Sequence, residues 1–146
     1  MIELAIERLR QVNQIDGIFA AVAGAAEFAE VSGDKPPTKF PALYVVPLGE
    51  DVVSADHPNW SEDIVTIQFA TVLVVQQKSD PRGGAAVLAI KAPRAMTRKA
   101  LAGFLPTDAD EAIRYAGGRL MAFEDGRMWW QDNWAVVVRL PTEQET

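Results

Sequence analysis

Hydrophobic and polar positions follow two periods along this chain, and the changes between them mark out its elements. Ile2, Ile6, Leu9 and Val12 recur at helical spacing, with Glu3, Glu7, Arg8 and Arg10 between them. That spacing predicts a helix over 2–13 with one apolar stripe, its acids near the positive end of the helix dipole. Asp16-Gly17 ends it. Residues 18–22 are too small and apolar for a surface loop and read as a short strand or tight buried segment; 23–31 predict one or two helical turns. Gly33, Pro36, Pro37 and Pro41 make 32–41 a loop. Residues 42–46 read as a buried strand closed by Pro47. Gly49, Asp51, Ser54, Asp56, Pro58 and Asn59 are turn chemistry and predict a second, long loop over 48–61.

From residue 63 the period becomes two. Val65, Ile67, Phe69, Leu73 and Val75, with Thr71 among them, form a core face, and the even positions are mixed. Extended, 63–76 spans roughly 45 Å, more than a small domain covers, so part of it is expected to project toward a neighbour. Residues 77–84 are a polar loop with Asp80-Pro81 and Gly83-Gly84. A helix over 85–104 gathers Ile90, Met96, Ala100, Leu101 and Phe104 on one face, and Pro93 is expected to kink or split it. Pro106 closes the segment, and 107–111 is an acidic loop. Asp125-Gly126, between 119–124 and 127–140, is the signal of a two-residue hairpin turn. Counting outward from it predicts the pairs Phe123–Met128, Met121–Trp130 and Arg119–Asp132. The last, as an ion pair, would excuse Asp132 from a face otherwise made of Met128, Trp130, Trp134, Val136, Val138 and Leu140. These elements predict an α+β fold: a mixed, mainly antiparallel sheet with a C-terminal β-hairpin, and helices packed on the sheet. One domain is expected over 1–141, with 142–146 a polar, frayed tail.

Composition narrows the function. The chain has 146 residues, 49% hydrophobic and 23% charged, enough to bury a core without staples. It has no cysteine, which excludes disulfides, thiolate nucleophiles and cysteine-ligated metals. The net charge of −6 argues against gripping a phosphate backbone. The opening residues lack a basic region followed by an apolar run, so no signal peptide is expected. The apolar stretch 64–75 is interrupted by Thr66, Gln68 and Thr71, so no membrane span is expected.

Candidate chemistry is sparse. His57 is the single histidine, in the predicted loop beside Asp56 and Pro58, with no second histidine to complete a zinc set. It reads as solvated. Acidic clusters at Glu50-Asp51, Glu62-Asp63, Asp108-Asp110-Glu111 and Glu124-Asp125 fall in turns or at strand ends and read as caps. Neither glycine pair, Gly83-Gly84 or Gly117-Gly118, belongs to a phosphate-binding fingerprint, and no nucleophile elbow is present. No catalytic residue, metal ligand or cofactor is assigned. The four tryptophans stand out. Trp130 and Trp134 fall on the predicted core face. Trp60 lies in the loop, and Trp129 lies on the opposite face, where a partner subunit or a covering helix would hold it. Tryptophan and arginine are enriched at interface centres, and Trp60, Trp129, Arg82 and Arg127 are the candidate subunit-interface residues.

The order of these segments carries a resemblance. The opening helix is followed by Val-Ala-Gly-Ala-Ala-Glu at 22–27, then Pro-Ala-Leu-Tyr-Val-Val-Pro-Leu-Gly at 41–49. The long strand around 65–75 comes next, then Ala-Leu-Ala-Gly-Phe-Leu-Pro at 100–106, and Tyr-Ala-Gly-Gly at 115–118 leads into the tryptophan-bearing hairpin. Over most of its length the chain resembles phage tail terminators, most closely the minor tail proteins of Mu-like phages and more distantly the lambda-type terminator. The resemblance implies a non-enzymatic virion protein without cofactor. Such a protein forms a hexameric ring of itself on the last ring of tail tube protein, stops tube polymerisation and offers the neck or head-completion protein a docking surface. It implies a place at the head-proximal end of the tail after synthesis in the bacterial host cytoplasm, with DNA passing through without specific binding and no membrane contact. Pro93 departs from the pattern, since the family keeps that helix continuous. Two other readings stay open: a neck or head-completion protein of the same virion, and a small-molecule-binding module or acid-dependent hydrolase. The last needs a concave pocket with convergent polar groups and perturbed carboxylates.

Overall fold

The N-terminal stripe folds as its spacing predicts. In a computed structural model, which describes residues 1–32, 35–77 and 84–142, helix α1 (Ile2–Asp16) buries Ala5 and Leu9. Gly17 ends it at φ 63°, and its N–H donates to the Asn13 carbonyl at 2.7 Å; glycine adopts this left-handed cap without a Cβ penalty. Strand β1 (Ala21–Ala23) follows, then helix α2 (Ala25–Val31). Glu27 accepts the Gly24 N–H at 3.2 Å and so satisfies a donor at the start of α2.

Strands β2 (Ala42–His57) and β3 (Trp60–Gln76) form a long antiparallel hairpin. This overturns two expectations. Pro47 does not close the strand, and 48–61 is not a loop. Residues 49–57 pair one for one with 60–68, and only Pro58 and Asn59 make the reversal. The polar residues taken for turn chemistry lie on a strand exposed on both faces, where nothing selects apolar side chains. They bond across the ladder instead: Ser54 donates to Asp63 and Gln68 to Asp51, both at 2.9 Å. Pro47 is tolerated because it flanks a bulge at Leu48.

The helix expected over 85–104 is split into α3 (Gly84–Ala89) and α4 (Lys91–Leu101). The break falls where the Pro93 ring would meet the carbonyl four residues earlier, that of Ala89. Within α4, Pro93 occupies the first turn, where an N–H has no intrahelical partner. Strands β4 (Arg114–Glu124) and β5 (Arg127–Thr142) complete a five-stranded sheet of order β1-β2-β3-β5-β4, parallel only at β1–β2. Asp125 and Gly126 turn at φ 52° and 72°, the positive pair that a type I′ turn requires.

The hairpin register holds at Phe123–Met128 and then slips. A bulge at Met121 places Leu120 opposite Trp130 and Arg119 opposite Gln131. Met121–Trp130 and Arg119–Asp132 are therefore not pairs. Asp132 lies opposite Gly118 and takes its cation from α4 instead. Thr142, expected in the C-terminal tail, pairs with Ser61 at the end of β5; residues 143–146 lie outside the described residues.

The sheet is covered unevenly. Over β3 residues 69–75 every side chain is buried. One face packs under α1, α3 and α4 around Leu9, Phe69, Leu73, Leu101, Trp134 and Val136. On the other face, Phe28 and Val31 of α2 cover Tyr44, Val72 and Val74. Beyond this half the hairpin runs on as an arm. With 16, 17 and 16 residues in β2, β3 and β5, these strands extend roughly 55 Å, against a radius of gyration of about 15 Å for a compact chain of this length.

Candidate assembly surfaces on the arm and the hairpin

The arm comprises 48–57 of β2, 60–68 of β3 and the end of β5. Its outer edge is open: β1 pairs with β2 only at 42–44, and among the described residues no strand pairs with that edge beyond. Leu48, Val52 and Val53 are exposed there, Val53 to 64%, and Leu140 on β5 is 52% exposed. Leu140 was expected in the core; it lies on the arm, beyond the reach of the helices. Covering such side chains contributes on the order of 1 kcal/mol each. The loop before β4 caps part of the other edge, with the Asp110 N–H on the Val137 carbonyl at 3.0 Å and the Arg139 N–H on the Asp110 carboxylate at 2.6 Å.

Trp60 sits at the arm's tip, 41% exposed and stacked on His57 at 3.9 Å between ring centroids. His57 is on a strand and not in a solvated loop: its Nε2 lies 3.3 Å from Glu62 Oε1, which also accepts from Arg139 at 3.3 Å. Glu62 is buried, so these partners satisfy it. The group holds the arm's tip to β5. It gathers one carboxylate around His57. Among the described residues, no group of three or more His, Cys, Asp or Glu side chains is placed to hold a metal ion.

Trp129 and Arg127 come together on the other face, at the opposite end of the sheet. Trp129 lies opposite Val74, fourteen positions along β3 from Trp60. It is half-buried, edge-on to Phe28 at 6.4 Å. The covering helix of the alternative reading is thus present as α2, yet Trp129 still lines an open cavity of 330 Å³ with Phe28, Val31, Met121 and Arg127. Arg127 reaches Asp125 at 3.6 Å, and its buried Nε has no hydrogen-bond partner. Arg82 lies outside the described residues.

A polar cluster that spacing did not reveal lies under α4. Asp132 accepts from Arg94 through both oxygens, at 3.0 and 3.2 Å, from the Tyr115 hydroxyl at 3.0 Å and from Trp130 Nε1 at 2.9 Å. Gly118 is opposite, and a Cβ there would strike the Asp132 carboxylate. The hydrogen bonds to Asp132 raise the affinity of Arg94 for its proton. Burial pushes the Tyr115 hydroxyl above its ordinary value, and its bond to Asp132 adds to this. Arg94 also lies over the Trp130 ring at 4.5 Å. The cluster ties α4 to the sheet.

A 146-residue chain with a half-covered sheet, a bare arm and a hairpin ending in an open cavity has the features of a piece completed by neighbours. The profile of the phage tail terminator protein family matches residues 1–145. The chain belongs to the phage tail terminator family. Family membership makes it a structural component of a phage-like virion tail. A chain from the virion of a native gene transfer agent (GTA) particle shares its fold at a TM-score of 0.58 and 16% identity, over 95% of this chain and 94% of that one. No curated protein matches the sequence. Among the described residues of this tail terminator, no helix is long and apolar enough to cross a membrane. Its exposed arm residues Leu48, Val52 and Val53 escaped the sequence reading. The one available signal was the valine pair inside a stretch otherwise polar enough to pass for a loop.

Proposed function

We propose that six copies of the chain form a ring on the last ring of tail tube protein, end tube polymerisation and present the surface on which the neck or head-completion protein docks. The observation that supports this reading best is the bare arm: paired strands extending past the helices with exposed Leu48, Val52, Val53 and Leu140 and an open outer edge. An open edge and exposed apolar side chains are hazards in a free monomer, and a ring of head-to-tail contacts would cover both. Trp60 at the tip, Trp129 and Arg127 at the cavity, and Arg82 on sequence grounds, are the proposed interface residues. The excess of acid lets DNA pass through the ring without specific contact.

The test is to polymerise tail tube protein from the same virion with and without this chain. Capping predicts tubes of arrested length with a hexameric ring at one end in electron micrographs and by light scattering. A chain that stays monomeric beside growing tubes overturns the reading.

A further inference from the structure

The two charge signs are segregated along this chain. Between Lys39 and Lys78 there is no lysine or arginine, and five acids fall there: Glu50, Asp51, Asp56, Glu62 and Asp63. All five lie on the arm. From 81 to 107 the pattern inverts: there is no acid, and Arg82, Lys91, Arg94, Arg98 and Lys99 are present. Four of these are on α4. Arg94 is spent on Asp132, and Lys99 reaches Asp16 at 3.4 Å. Lys91 and Arg98 are exposed and make no ion pair among the described residues. Apolar exposure follows the same division. Val87 and Leu88 stand out from α3 beside Lys91, Leu88 at 67%, while Val52 and Val53 stand out beside the arm's acids.

Within one copy the outer part of the arm, with Asp56, cannot reach α4, whereas Glu50, opposite Ile67, is four positions along β3 from Thr71. Arg94 is bonded to Asp132, which pairs with Thr71, eleven positions along β3 from Trp60 at the tip; that is roughly 35 Å of paired strand. We infer that the acidic arm of one copy docks on the α3–α4 face of the next, Glu50 and Asp56 facing Lys91 and Arg98, with Val52, which shares their face of the strand, covering Val87 and Leu88. This rests on the ring reading and assigns its contact. Two different patches meet, so the contact is heterologous and propagates around an axis until it closes. Opposite charges at the rim set partner and register, and the apolar side chains supply most of the affinity.

Charge reversal tests the contact with a readout that misfolding does not mimic. One variant carries Glu50→Lys and Asp56→Lys; the other carries Lys91→Glu and Arg98→Glu. These side chains are exposed, and circular dichroism checks the fold of each variant. In either variant alone the contacting positions 50, 56, 91 and 98 all carry the same sign, and the concentration needed for half-assembly on tube ends is expected to rise at least about tenfold. In an equimolar mixture each arm again meets an opposite helix face, and assembly returns to within about threefold of the parent chain. The mixed ring alternates the two variants, so native mass spectrometry finds them in equal numbers. Rings from either variant alone at the parental concentration, or loss without rescue in the mixture, would overturn this contact while leaving the ring intact. A parent chain that forms no ring removes both.

Discussion

At the residue scale, Asp132 decides how α4 is held. It is buried and takes four hydrogen bonds, two of them from a cation. Removing it strands the Arg94 charge and the Tyr115 and Trp130 donors together. Asp132→Ala is expected to cost about 3 kcal/mol in chemical denaturation, and Asp132→Leu combined with Arg94→Met should recover part of it, since an apolar pair avoids the desolvation of both ions while the Tyr115 and Trp130 donors still lack their acceptor. Tyr115 adds a pH dependence whose sign is fixed. Its folded-state pKa is raised by burial and by the bond to Asp132, so its contribution is complete below the ordinary value of about 10. It is lost as pH climbs through the higher folded value, because the unfolded chain releases that proton first. Melting temperature should fall above pH 10, and Tyr115→Phe should flatten that fall while lowering stability near neutrality by about 1 kcal/mol. None of this cluster was legible in the sequence. Arg94 comes from a helix 38 residues away, and the hairpin register that promised Arg119 is valid only as far as the bulge at Met121, which carries no glycine or proline to announce it.

At the element scale, strand β2 changes character at its bulge. Residues 42–45 are buried between β1 and β3, whereas 48–57 form an edge with solvent on both faces. Amide exchange followed by mass spectrometry should show the first part protected to near the global stability and the second part exchanging much faster. In the proposed ring, peptides from the arm should gain protection. The buried half was readable because Ala42-Leu43-Tyr44-Val45-Val46 has no reason to be apolar except burial. The edge half was not, because an exposed strand and a loop are written with the same polar residues. Helix α1, the face of β3 and the Asp125-Gly126 turn were legible for the complementary reason: each carries a period or a positive-φ pair that one local structure satisfies. Pro93 announced a break, and the carbonyl its ring excludes fixes where it falls.

At the scale of the whole molecule, a sheet covered at one end and bare at the other sorts its candidate residues into two groups. Trp60 belongs to the arm, and Trp129 and Arg127 to the hairpin cavity. The sequence could nominate these residues but not their separation, which follows from fourteen positions of strand. An association steered by exposed carboxylates and ammonium groups is screened by salt. Raising ionic strength from 0.1 to 1 M shortens the Debye length from about 10 to about 3 Å, and subunit association in sedimentation velocity is expected to weaken by roughly tenfold over that range. A contact made of apolar area alone would strengthen or hold.

The three acids on the arm's outer edge also forbid something. Two identical arms brought side by side would zip their open edges into a continuous ladder, the first step toward a fibre, were it not that each presents Glu50, Asp51 and Asp56 to the same residues of its twin. Like charge turns that pairing away. In the proposed ring this repulsion would disfavour edge-to-edge condensation of free chains and leave the closed head-to-tail contact as the favoured one.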